Sequence, residues 1–193
     1  MSGRKSRRAG GSRPGRSRHD DRIHESDADP ESVARTIALR KLAVAPQTRA
    51  QLDDAMARRG VPEDIRNRIL DRFDDVGLID DAMFARMWVE SRHAGRGLAK
   101  KALAHELRRR GVDSSIVDEA VAELGPEQEE ATARALVARK LPAMRGLDAA
   151  SRTRRLVGML ARKGYPAGLA FRVVRDALER DGIDENELPH EGM

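Results

Sequence analysis

The chain of 193 residues contains no cysteine, which excludes a disulfide framework, a thiol nucleophile and a thiolate metal site, and fits a reducing compartment. Only five residues are aromatic: Phe73, Phe84, Trp88, Tyr165 and Phe171. A core built from this sequence must therefore be thin and close-packed. No apolar run approaches the roughly 20 residues that cross a bilayer. The charged N-terminus leads into no hydrophobic segment, so neither membrane insertion nor export is expected and the cytoplasm is the expected location. No stretch alternates apolar and polar residues over a useful length, so sheet is not expected. What the chain has instead is small side chains and charge: 28 residues are alanine and 36% are Asp, Glu, Lys or Arg.

The formal net charge of +5 hides an uneven distribution. Residues 1–19 carry seven cationic side chains and no acid, whereas residues 20–32 carry six acids against one arginine. A polycation followed by a polyanion, with almost no large apolar group before Val33, cannot offset the entropy of ordering. Residues 1–28 are expected to be a disordered extension, a tether or sticky arm. They are Arg- and Ser-rich like a transit peptide but lack its amphipathic face. Residues 183–193 hold four acids and no Lys or Arg and read as an acidic, flexible C-terminus.

Between these ends one pattern occurs three times. Leu52 to Pro62, Leu103 to Asp113 and Leu156 to Pro166 superimpose without a gap, bringing Gly60, Gly111 and Gly164 into register. Beyond each glycine the apolar positions match again at helical spacing: Ile65, Ile69, Leu70, Phe73; Ile116, Ala120, Val121, Leu124; Leu169, Val173, Val174, Ala177. Each copy reads as a helix stopped by a left-handed glycine, a tight turn, and a second helix opened by Pro62, Asp113 or Pro166. A further amphipathic stretch precedes each pair, at about 31–44, 81–94 and 127–141. Thr48 with Gln51 makes a capping box, Asp29 and Asp80 open helices, and Gly77, Gly125 and Gly182 are read as closing the third helix of each group. The prediction is an all-α protein of about nine helices in tandem three-helix bundles, at 29–80, 81–125 and 126–182. Such bundles would form an elongated, curved stack suited to lying along another polymer. A single compact globule of the same helices is the alternative the sequence leaves open.

Enzymatic signals are weak. The five histidines, His19, His24, His93, His105 and His190, show no metal-ligand spacing. Gly95-Arg96-Gly97 follows a helix instead of a strand and lacks the phosphate-loop spacing, so it reads as a helix break. No catalytic, cofactor or metal residue is assigned. The basic clusters say more. Residues 92–110 hold seven cations against Glu106, and residues 152–163 hold five with no acid. Cations in the last turn of a helix, such as Arg109-Arg110 and Arg162-Lys163, are equally explained by the helix dipole, worth about 0.3–1 kcal/mol. That explanation fails for Arg92, Arg96, Lys100, Lys101, Arg152 and Arg155, which lie before or early in their helices. Lys101, His105 and Arg108 share one helix face opposite Leu103 and Leu107. The candidate binding surface is therefore Arg92, Arg96, Lys100, Lys101, Arg108, Arg109, Arg152, Arg155, Arg162 and Lys163, facing a polyanion or a carboxylate-rich protein. Phe84 and Trp88, four residues apart, read as core packing, with base stacking as the minor alternative.

The stretch from Gly77 to Arg92, followed by Gly95, Gly97 and Glu106-Leu107-Arg108-Arg109-Arg110-Gly111-Val112, resembles the central block of the RecX family of RecA regulators. The resemblance spans about residues 33–180. It implies tandem three-helix repeats in a cytoplasmic, non-catalytic bacterial protein, expected to act as a monomer. Its implied partners are the RecA filament and single-stranded DNA, with double-stranded DNA as a further one. It also implies binding in the filament groove and inhibition of RecA's recombinase, ATPase and co-protease activities, hence a role in recombination, DNA repair and the SOS response. The composition by itself gives only a basic surface, and the alternative is a stand-alone DNA-binding helical repeat protein. The long N-terminal extension departs from the family's usual short start.

Overall fold

The structure, a computed structural model, describes residues 29–186; the expected arm at 1–28 and the end of the chain from 187 lie outside the described residues. Among the described residues there are nine α-helices, one short 3-10 helix and no strand. The helices are α1 (Pro30–Leu42), α2 (Arg49–Ala57), α3 (Glu63–Asp75), α4 (Asp81–Arg96), α5 (Lys100–Arg108), α6 (Ser114–Ala122), α7 (Pro126–Lys140), α8 (Ala149–Arg162) and α9 (Ala167–Asn186).

Local chemistry sets most of these boundaries. Asp29, Asp80, Asp113 and Asp148 cap α1, α4, α6 and α8 with their carboxylates, and Thr48 with Gln51 forms the reciprocal capping box on α2. Gly60, Gly111 and Gly164 follow α2, α5 and α8 with φ of 75°, 78° and 89°, the left-handed turn that favours glycine. Two glycines act differently from the sequence reading. Gly125 has φ −62° and opens α7 instead of closing α6, because Pro126 sets the first helical position of the next helix. Gly182 lies inside α9, which continues to Asn186; an isolated glycine weakens a helix by about 1 kcal/mol without ending it. After α7, Pro142 forces a 3-10 turn at Leu141–Met144.

Each triplet surrounds its own core. Leu52, Met56, Ile69, Leu70 and Phe73 fill the first, Phe84, Val89, Leu103, Leu107 and Val117 the second, and Leu136, Val137, Leu156, Leu160, Val173 and Val174 the third. The principal helix packings all fall within a triplet, so the fold is a tandem repeat and not one globule.

The two junctions follow one rule. At the first, the Thr48 hydroxyl donates to the carbonyl of Arg110 (2.7 Å) and the Arg49 N–H donates to the Asp81 carboxylate (2.9 Å). At the second, the Ala99 N–H donates to the carbonyl of Lys163 (2.9 Å) and the Lys100 N–H donates to Glu129 (3.0 Å). In both, the N-terminus of one middle helix abuts the glycine turn that ends the next, and a carboxylate from the next triplet's first helix caps it. Helices α2, α5 and α8 therefore meet head to tail, positive dipole end against negative. Buried His93 adds a tie at the second junction: its Nδ1–H donates to the Leu98 carbonyl (2.9 Å), leaving Nε2 to accept from the Thr132 hydroxyl (2.8 Å). Tyr165 adds another, its buried phenol donating to Gly97 O (3.1 Å); burial, reinforced by Glu129, raises that phenol to about 12.

Candidate cationic interface

The middle triplet carries one long amphipathic helix, α4, whose inner face packs Phe84 and Val89 and whose next residues along the helix reach its edge. Trp88 lands there half-buried, stacked on Phe84 with ring centroids 5.8 Å apart. The α5 turn then brings Arg109 and Arg110 against the same edge, and α2 adds Gln51 from the first triplet. The result is a cleft at the first junction lined by Gln51, Trp88, Arg92, Arg96, Glu106, Arg109 and Arg110.

Four guanidinium groups line this cleft against one carboxylate. Glu106 accepts from the Trp88 indole N–H (3.0 Å) and lies 3.8 Å from Arg92 Nε and 3.5 Å from Arg96 Nη1. The Arg92 and Arg110 guanidinium carbons lie 4.2 and 3.7 Å from the Trp88 ring centroid, where the ring quadrupole attracts cations. Burial, then the charge of Arg92, pushes Arg110 below its ordinary value despite Glu106. Cations held this close with a single counter-charge favour an incoming anion, and guanidinium forks suit carboxylate and phosphate alike. Trp88 is thus neither plain core nor an open stacking platform; it is the floor on which two arginines rest.

A second basic group lies at the other junction. The Lys163 ammonium donates to the Arg96 carbonyl (2.5 Å), and burial, followed by the charges of Arg96, Arg139 and Lys140, holds it below the usual lysine range. Arg96 belongs to both groups and links them.

The structure places the ten residues singled out in the sequence in different settings. Arg92, Arg96 and Arg109 share the cleft. Contrary to the sequence reading, Arg92 and Arg96 lie at the C-terminal end of α4, not before or early in a helix, because α4 runs on to Arg96, so the helix dipole favours these cations too. Lys101, Arg155 and Arg162 are exposed, with no ion-pair partner among the described residues. Arg108 is exposed and paired with Asp118 at 2.7 Å. Lys100 begins α5 at the second junction, and Lys163 is bound there. Arg152 is turned inward, only 16% exposed, and its guanidinium donates to Asp181 and to the carbonyls of Leu147 and Arg145; it ties α8 to α9. The sequence reading counts Arg110 in the basic cluster but leaves it out of the candidate surface, and it does not reach Arg139 and Lys140. Arg139 and Lys140 sit in the last turn of α7 and Arg110 just past the C-cap of α5, where the dipole explains a cation, and only the repeat stacking carries them to a junction.

Among the described residues no helix is long and apolar enough to cross a membrane. Family comparison covers each triplet separately: the first, second and third three-helix domains of RecX match residues 34–73, 80–121 and 127–174. A Regulatory protein RecX of Streptomyces lividans is 57% identical over 169 residues, 88% of this chain and 90% of the relative. That of Thermobifida fusca is 57% identical, covering 86% and 91%, and that of Mycolicibacterium smegmatis is 46% identical, covering 78% and 84%. The crystal structure of RecX from Lactobacillus salivarius shares the fold at TM-score 0.72 and 19% identity, over 77% of this chain and 97% of that one. With three domain matches in order along the chain and relatives of this identity, the chain belongs to the RecX family of regulatory proteins.

Proposed function

We propose that this protein acts on the RecA nucleoprotein filament, lying in its groove and inhibiting RecA's recombinase, ATPase and co-protease activities without catalysis of its own. The observation that carries the reading is the junction cleft, where four arginines face one carboxylate on a chain of the RecX family. A filament on DNA offers what such a surface lacks: acidic side chains and a row of phosphates. Lys101, Arg155 and Arg162, exposed and without an ion-pair partner among the described residues, add positive charge outside the cleft. The protein works as a monomer in the cytoplasm, with RecA on single-stranded DNA as its target and double-stranded DNA as a further partner.

The rival reading is a stand-alone DNA-binding protein, favoured by the unpaired cations. Fluorescence anisotropy on naked DNA and on RecA-coated DNA across a salt series separates the two. Tighter binding to the coated DNA, with the weaker salt dependence, is expected. Equal affinity for both, falling with one steep slope, would favour the rival.

A further inference from the structure

Beside the cationic cleft runs an apolar groove that the reading above does not use. Among the described residues seven large hydrophobic side chains stay exposed, and Leu78, Met83 and Met87 lie together in this groove, at 47%, 52% and 53% exposure. Met83 and Met87 are one turn apart on α4, and Leu78 stands just before that helix. The opposite wall is the loop joining α1 to α2, with Pro46 and Gln47. Val44 in the same loop is 87% exposed. Past Met87 the groove continues to Trp88, Arg92 and Arg110, so its apolar floor opens directly into the cationic cleft.

We infer that this groove is the docking site for a protein segment that presents apolar side chains to Met83 and Met87 and a carboxylate to Arg92 and Arg110. The inference rests on the proposed function, within which the recombinase supplies that segment, and it divides the surface: protein contact here, phosphate contact elsewhere. Two features select a protein occupant. Exposed contiguous apolar surface marks interaction sites, and methionine suits them because its unbranched thioether adapts to the partner. Nucleic acid satisfies cations with phosphate but meets side chains through base faces, which stack on open aromatic rings. The groove offers thioethers and aliphatic groups; Phe84 is buried in its floor, and the Trp88 ring is already approached by two guanidinium groups. The charge at the end of the groove requires an acidic partner.

The test uses the full chain carrying Met83→Glu with Met87→Glu, and a second variant with alanine at both positions, which introduces no charge. Circular dichroism melting first establishes that the helices are retained, as expected for half-exposed positions. RecA ATPase on single-stranded DNA is then titrated with each protein, and affinity for the same DNA without RecA is measured in parallel. The concentration needed for half-inhibition is expected to rise about tenfold or more for the glutamate pair. A smaller rise is expected for the alanine pair, while naked-DNA affinity stays within about twofold for both. Unchanged inhibition by both variants would overturn the inference and leave the proposed function standing. So would an equal loss of naked-DNA binding, which would make nucleic acid the occupant. Self-association of the wild type that the glutamate pair abolishes, with inhibition intact, would make a second copy the occupant and overturn it as well. A wild type that never inhibits RecA would overturn the proposed function, and the inference with it.

Discussion

Gly60, Gly111 and Gly164 hold the same left-handed turn in the same motif, yet their surroundings differ. A Cβ on Gly60 would meet nothing within 4 Å, whereas one on Gly111 would lie 2.3 Å from Ala50 Cβ and one on Gly164 2.6 Å from the Ala102 backbone nitrogen. Gly60→Ala should therefore cost only the left-handed strain, about 1–2 kcal/mol. Gly111→Ala and Gly164→Ala should cost visibly more, because a helix start must also move. Thermal melts of the three variants check this, and equal losses would mean that the junctions are not close-packed. Thr48 is fully buried, accepting from the Gln51 N–H and donating to Arg110 O. Thr48→Val leaves that carbonyl without its donor and should destabilise by about 1–3 kcal/mol in a denaturant titration. Acid acts through other caps. The exposed Asp113 and Asp148 carboxylates are held below the usual aspartate range chiefly by bonds from Ser115 and Ser151. Their contribution is complete above the unfolded aspartate value and is lost as pH falls through the folded one. Melting temperature should drop across that acid window, and Asp148→Asn, which cannot titrate, should flatten part of the drop.

At the scale of helices, capping residues and apolar spacing make the nine elements and their grouping legible in the sequence. Asp29, Thr48, Asp80 and Asp113 act on the backbone within their own turn, so their effect is local and readable. Gly125 and Gly182 depart from the sequence reading because a glycine's role depends on its neighbours: Pro126 recruits one as a helix start, and beside the other, Asp181 holds α9 to Arg152 of α8. The junctions were not legible. Nothing along the chain says that Thr48 and Arg110, 62 residues apart, share a hydrogen bond, or that Glu129 caps a helix in the preceding triplet. The same blindness hid the inward turn of Arg152, whose partner Asp181 lies 29 residues away. The apolar stripe of α5 supplies its own check. Leu107 is fully buried in the second core, so Leu107→Ala should cost about 2–5 kcal/mol in chemical denaturation.

Across the whole molecule, three separate cores are joined by a few hydrogen bonds and by aligned helix dipoles, so stability is expected to approximate a sum of triplets and their interfaces. Both junctions also gather cations: Arg92, Arg96, Arg109 and Arg110 at one, Arg96, Arg139, Lys140 and Lys163 at the other. This repulsion opposes stacking, and under the proposed function the anionic partner would relieve it. The claim is tested most directly by titrating RecA ATPase on single-stranded DNA with the wild type and with Arg96→Glu/Arg109→Glu, two exposed cleft positions away from the packed cores. Progressive inhibition by the wild type, and a requirement for about tenfold or more of the variant, is the predicted result. ATPase activity untouched by the wild type, or equal inhibition by both proteins, would contradict it.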